Sequence, residues 1–224
     1  GGLISFFFQH WDWGIGLLGL AAALAFPGYL IRYFYRTQIK LEQSLHRFLH
    51  ECRDHIQRLG NANDDAHWAA LVDQFHEKAL RLIVDYYRYR SNDDDVGAAI
   101  RLAERIDEQD CYVTKARVNL DPSRQHSSEP LPFDKGLANA LREQESQGVF
   151  VIDDVHKAAK QAGWFETRND KLDDVRAQLA APINGWDGDS KSMFGILYVS
   201  SKAVCAFTTS PTEAMKMFAD AHRR

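Results

Sequence analysis

The chain has 224 residues, a formal net charge of -4, 45% hydrophobic residues and 26% charged residues. The length leaves room for one ordinary domain plus some helix, and the mildly acidic balance excludes a global electrostatic footprint for nucleic acid, so no nucleic-acid partner is expected. Cys52, Cys111 and Cys205 are odd in number and widely spaced, which excludes a disulfide framework or a CxxC zinc site and fits a reducing compartment.

Gly14 to Ile31 reads GIGLLGLAAALAFPGYLI and carries no charge. As a helix this stretch is about 27 Å long, close to the hydrocarbon thickness of a bilayer. Trp11 and Trp13 flank one end, and Tyr29, Tyr33 and Tyr35 flank the other, as interfacial aromatics do. The expectation is an N-terminal membrane anchor over residues 1–36 with one transmembrane helix. The apolar LISFFF run within residues 1–13 either joins the span or lies in the interface. Arg32, Arg36, Lys40 and Arg47 follow the stretch, while the segment before it has Asp12 and no Lys or Arg. The positive-inside rule then places the remaining chain in the cytoplasm, at the cell membrane. A cleaved signal peptide fits less well, because no basic segment precedes the apolar run and apolar residues continue past Ala25.

Residues 37–62 read as a juxtamembrane helix. Leu41, Leu45, Phe48, Cys52, His55 and Leu59 alternate steps of four and three, a short heptad seam that suits a coiled-coil homodimer. The alternative is that this helix packs against its own domain. His46 and His50 lie one turn apart, a spacing that can chelate zinc. No third and fourth ligand follows at a suitable spacing, so a solvated face is favoured and no metal site is expected. Gly60 to Asp65 breaks the helix, with Asp64 or Asp65 as the next N-cap. Trp68, Leu71, Val72, Phe75, Ala79, Leu82, Ile83 and Tyr86 then mark an amphipathic helix ending near Arg90.

Val96 to Leu102 and Cys111 to Val118 read as strands. Asp121 to Pro132 reads as a loop, Phe133 to Leu141 as a helix, and Val149 to Ile152 as a short strand. Asp153 and Asp154 are placed to cap a helix over Val155 to Ala162. Lys171 to Ile183 suits a strand entering from a charged loop. Ser192 to Val199 is a central strand, Ala203 to Thr208 another extended piece, and Thr212 to Arg223 a closing helix with Pro211 at its first turn.

This order resembles a GAF domain over about residues 66–224. The resemblance rests on Leu179-Ala180-Ala181-Pro182-Ile183, on Phe194-Gly195-Ile196-Leu197-Tyr198-Val199-Ser200-Ser201, on Phe207, and on Met217-Phe218-Ala219-Asp220 in the closing helix. Pro132-Phe133-Asp134-Lys135-Gly136 and Gly148-Val149-Phe150-Val151-Ile152-Asp153-Asp154 add to it. It implies an α+β fold in which an antiparallel sheet of about six strands lies between helix layers, here over residues 63–224 behind the transmembrane and juxtamembrane helices. The Asn-Lys…Phe…Asp-Glu set of cyclic-nucleotide members is missing, no cysteine precedes a histidine as in bilin-binding members, and the cysteines are not clustered as in members that reduce methionine sulfoxide.

By resemblance the pocket lies between sheet and covering loops, with Tyr112, Arg117, Arg124, Phe133, Asp153 and Trp164 as its ligand-binding residues. Two arginines and several aromatics would hold a small anion with an apolar body. The alternative is that Arg117 and Arg124 pair with Asp121, Glu129 or Asp153 and tie a loop down. No Ser-His-Asp, Walker or HExxH pattern is present, so no catalytic residue is assigned. The expected function is a membrane-anchored sensor or adaptor, without enzymatic activity, that binds a small molecule or a partner protein and relays a signal. The alternative is a docking subunit with an unliganded GAF-like fold.

Overall fold

The computed structural model describes residues 11–91, 93–119, 129–143, 148–160, 175–187, 190–207 and 212–221. For residues 11–24, 186, 187, 190, 191, 213 and 221 it describes the backbone alone. In chain order the elements are α1 (Trp11–Gly60), α2 (Asp65–Ser91), β1 (Gly97–Ile106), β2 (Gln109–Val118), β3 (Leu131–Pro132), α3 (Gly136–Glu143), β4 (Phe150–Ile152), α4 (Val155–Ala158), β5 (Ala177–Asp187), β6 (Ser190–Ser201) and α5 (Thr212–Ala221). The chain divides into two compact units, Gly1–Glu42 and Gln43–Arg224.

In the first unit, Phe26, Tyr29, Ile31, Phe34 and Tyr35 are exposed. Among the described residues, no helix is long and apolar enough to cross a membrane. This overturns the expected transmembrane helix and the transmembrane part of the expected fold class. Described side chains begin at Ala25, and from there Arg32, Arg36, Lys40 and Glu42 bring a charge to nearly every turn. The side chains of residues 14–24, within the expected span, lie outside the described ones.

The second unit is built on six antiparallel strands in the order β3-β2-β1-β6-β5-β4, as the resemblance implies. Two stretches differ from expectation. Ala203 to Phe207 turns instead of extending: Cys205 takes a φ of 61°, and the Ala203 amide donates to Ser201 Oγ at 2.8 Å. The sixth strand is β3, from the expected loop, which pairs with Cys111 and Tyr112 at the sheet edge. Pro132 is tolerated there because an edge strand has a side that needs no donor.

One sheet face is the main core. Ala98, Ile100, Leu179, Ala181, Leu197 and Val199 are buried on it, covered by α2 over β1 and β2 and by α5 over β5. Tyr87, Phe207 and Phe218 are fully buried, with Tyr87 meeting the other two rings edge-on at 5.9 and 6.2 Å. α2 begins where Asp64 Oδ1 accepts from the His67 amide at 2.7 Å, which makes Asp64 the cap.

The Gln43–Gly60 stretch of α1 packs on this helical layer. Phe48 is fully buried against Phe218, and His55 stacks on Phe75. The expected dimer seam is therefore turned inward at Phe48 and His55. Among the described residues no coiled coil is shown, and at Phe48 and His55 the stretch packs against the chain's own domain.

Candidate ligand-binding site

Side chains that oppose each other across antiparallel strands share a sheet face. On the face away from α2 these are Tyr112 and Ala103, Thr114 and Arg101, Arg101 and Ile196, Tyr198 and Ala180, and Ala180 and Phe150. A register shift between Ile100 and Arg101 leaves Lys115 as the extra residue on β2, so Arg117 opposes Ala99. The bulge thereby returns Arg117 to the face of Tyr112, although strict alternation would put them on opposite faces. Arg101 lies over the Tyr198 ring at 5.6 Å and donates to the Glu129 carbonyl at 3.0 Å, fastening the incoming loop.

α3 covers part of this face. Leu137, Ala138 and Leu141 are buried with Tyr112, Leu131, Ala180 and Ile196, and Phe133, Phe150, Ile152, Met193 and Tyr198 pack around them. Tyr112 and Phe133 stack at 4.3 Å and 27°, and Arg142 lies over the Phe133 ring at 4.6 Å. Burial pushes the Tyr112 phenol up, while a hydrogen bond from Arg142 and its charge pull the other way. The Tyr112 hydroxyl also donates to the Met193 carbonyl at 3.5 Å. Tyr112 is thus fully buried and neutral at physiological pH, a wall of the site more than a contact for a ligand.

Beside this stack, α3, β4 and the start of α4 border an open cleft of about 680 Å³. Leu137, Ala140, Phe150 and Ile152 line it with apolar surface; Asn139, Glu143, Asp153, Asp154 and Lys157 add polar groups, and Cys205 completes one edge. Its rim is held in two ways. The Cys205 amide donates to the Asp153 carbonyl at 2.8 Å, and Asp154 Oδ1 accepts from the His156 amide at 3.1 Å as the cap of α4. Asp154 also lies 3.6 Å from Arg176 and 3.9 Å from Lys157. Burial pushes the Asp154 carboxyl up, but the Arg176 charge, the His156 and Lys157 backbone amides and the Lys157 charge outweigh it and hold it below its ordinary range.

The residues expected to form the site do not all meet. Asp153 lines the cleft. Tyr112 and Phe133 form the stack behind it. Arg117 is half-buried on β2 and absent from the lining of this cleft. Arg124 and Trp164 lie outside the described residues. Sequence reading passed over Asn139, Ala140 and Glu143, one side of α3, and Arg142, which covers Phe133. The available signal was the amphipathic pattern of α3: Ala138 and Leu141 turn inward, Leu137 borders both the core and the cleft, and Asn139, Ala140 and Glu143 face the opening. Among the described residues no cluster of three or more metal-ligating side chains occurs.

No family model matches the sequence, and no curated protein matches it. Solved structures do. A GAF domain structure is 14% identical over 83% of this chain and 89% of that one, with a TM-score of 0.54. A free methionine-R-sulfoxide reductase from Neisseria meningitidis, in complex with its substrate, is 11% identical over 78% of this chain and 85% of that one, with a TM-score of 0.50. The GAF domain of an Acinetobacter phosphoenolpyruvate-protein phosphotransferase is 16% identical over 78% and 89%, with a TM-score of 0.48. The chain has a GAF-like fold.

Proposed function

We propose that this GAF-like domain is a sensor module that binds a small molecule in the cleft between α3, β4 and α4, and that it performs no chemistry of its own. One observation carries the reading: the cleft, at about 680 Å³, has the size of a ligand pocket and joins an apolar floor to a few polar groups. Leu137, Ala140, Phe150 and Ile152 suit an apolar body, and Asn139 with the Asp153 and Glu143 carboxylates suits a hydrogen-bonding head. Cys205 is the one thiol among the described lining residues, which argues against a reaction needing paired cysteines.

A second reading is docking without a ligand, onto a partner protein or a second copy of the chain. Leu49, Ile56 and Trp68 favour it, since they are 53%, 49% and 51% exposed on the helical layer. Native mass spectrometry of the purified full chain separates the two. The sensor reading expects a retained small molecule that leaves on denaturation and is missing from Ala140→Trp, whose indole would fill the cleft, with circular dichroism unchanged. Ligand-free protein before and after incubation with cell extract would refute it. A dimer or complex without small-molecule mass would select docking.

A further inference from the structure

The helical layer on the other side of the sheet from the cleft holds two buried histidines that ligand binding does not use. His55, on the Gln43–Gly60 stretch of α1, is 6% exposed. Its ring stacks on Phe75 of α2 at 4.5 Å and 18°, and its Nε2 has no hydrogen-bond partner among the described residues. His76, the next residue on α2, is 8% exposed, with its ring 6.2 Å from the Phe75 ring. A neutral imidazole fits such a place; a protonated one brings a charge that must be solvated or paired.

The charged and titratable groups acting on the pair come from both helices. α1 contributes Glu51 and Arg58, and half-buried Cys52 lies on the same stretch. α2 contributes Asp73 and Lys78, and Lys78 pairs with Glu51 at 3.7 Å near the surface. Burial lowers the His55 pKa, Arg58 and Lys78 lower it further, and Glu51 opposes them. Burial also lowers the His76 pKa; Asp73 opposes, and charge on His55 adds to the lowering. Protonating either ring therefore makes it harder to protonate the other.

We propose that His55 and His76 form an acid-sensitive latch that holds the Gln43–Gly60 stretch of α1 against α2 at neutral pH and releases it on acidification. The sign follows from linkage. A histidine free of this packing titrates near about 6.5, and both folded values lie below it. The packing energy is fully present above that value and is lost as pH falls from there through the folded values, about tenfold in the docking equilibrium for each unit of lowering. Release is local because the strands meet each other and α5 without either histidine. The latch thus couples acidity to the exposure of Phe48 and Phe75, independently of the cleft.

Hydrogen exchange of the full chain tests this. Between about pH 7.5 and about pH 5, after correction for the intrinsic rate, peptides from 43–60 are expected to exchange roughly tenfold faster or more, while β5 and β6 peptides stay unchanged. His55→Leu should reduce the acceleration and His55→Leu with His76→Leu should abolish it; His55→Gln and His76→Gln serve if the leucine variants do not fold. No acceleration in the wild type, equal acceleration in the sheet, or acceleration that persists in the double variant would overturn the latch.

Discussion

The ring of Phe48 meets the ring of Phe218 edge-on, with centroids 4.8 Å apart and planes at 77°. One residue belongs to the helix that precedes the sheet and the other to the helix that closes the chain. Tyr86 meets the same Phe218 ring at 5.4 Å, so three helices share one aromatic contact. The contact ties the Gln43–Gly60 stretch of α1 to the domain.

Phe48→Ala is expected to cost about 3–5 kcal/mol, the range for truncating a buried aromatic. A double-mutant cycle with Phe218→Ala should return a coupling of about 0.5–1.5 kcal/mol. Leu49→Ala, one residue away and exposed, should stay within about 0.5 kcal/mol. Urea unfolding measures all three. Equal effects at Phe48 and Leu49 would mean that the stretch does not dock on the domain.

Gly195 is required by a close approach between β1 and β6. A Cβ there would sit 2.5 Å from the Arg101 carbonyl oxygen and 2.8 Å from Leu102 Cδ2. Backbone cannot yield as a flexible side chain does, so Gly195→Ala should destabilise by about 1–3 kcal/mol. Gly28→Ala, where nothing lies within 4 Å, should leave stability unchanged or slightly raised. Thermal melts of the two variants decide the matter, and a neutral Gly195→Ala would disprove the β1–β6 register.

Asp154 links the rim of the cleft to pH. Its carboxyl is held below the ordinary range, so its stabilising contribution is present above the unfolded value of about 4 and lost as pH falls through the folded value. Asp154→Asn retains a capping oxygen but gives up the charge facing Arg176. The variant should melt below the wild type at about pH 7, and the gap should narrow by about pH 3. A gap unchanged across that interval would assign the role of Asp154 to capping alone.

Much of the sheet was legible because its strands carry local signals. Alternation marked β1, a β-rich composition marked β2, and the run from Phe194 to Val199 marked β6. β3 was hidden because Leu131 and Pro132 have no strand pattern of their own; they extend only because Cys111 and Tyr112 offer an edge. The reverse held at Ala203 to Phe207, where an apolar composition suggested extension and the left-handed Cys205 made a turn. The resemblance put Asp153 in the pocket, and it lines the cleft, whereas Asn139 and Glu143 reach the cleft only because α3 lies beside β4 and α4.

The sequence by itself determined most of the element order, the GAF-like resemblance, the two acidic pairs Asp64-Asp65 and Asp153-Asp154 as helix caps, and the apolar stripes of α2 and α5. Each depends on residues within a few positions of one another, where spacing and side-chain chemistry suffice. Only the tertiary structure decided that Phe48 and His55 face the chain's own helices and that a bulge returns Arg117 to the face of Tyr112. It also placed the cleft beside α3, apart from Arg117. Those outcomes are contacts between residues far apart in the chain, and a helical stripe has the same spacing whether it buries against another copy or against its own fold.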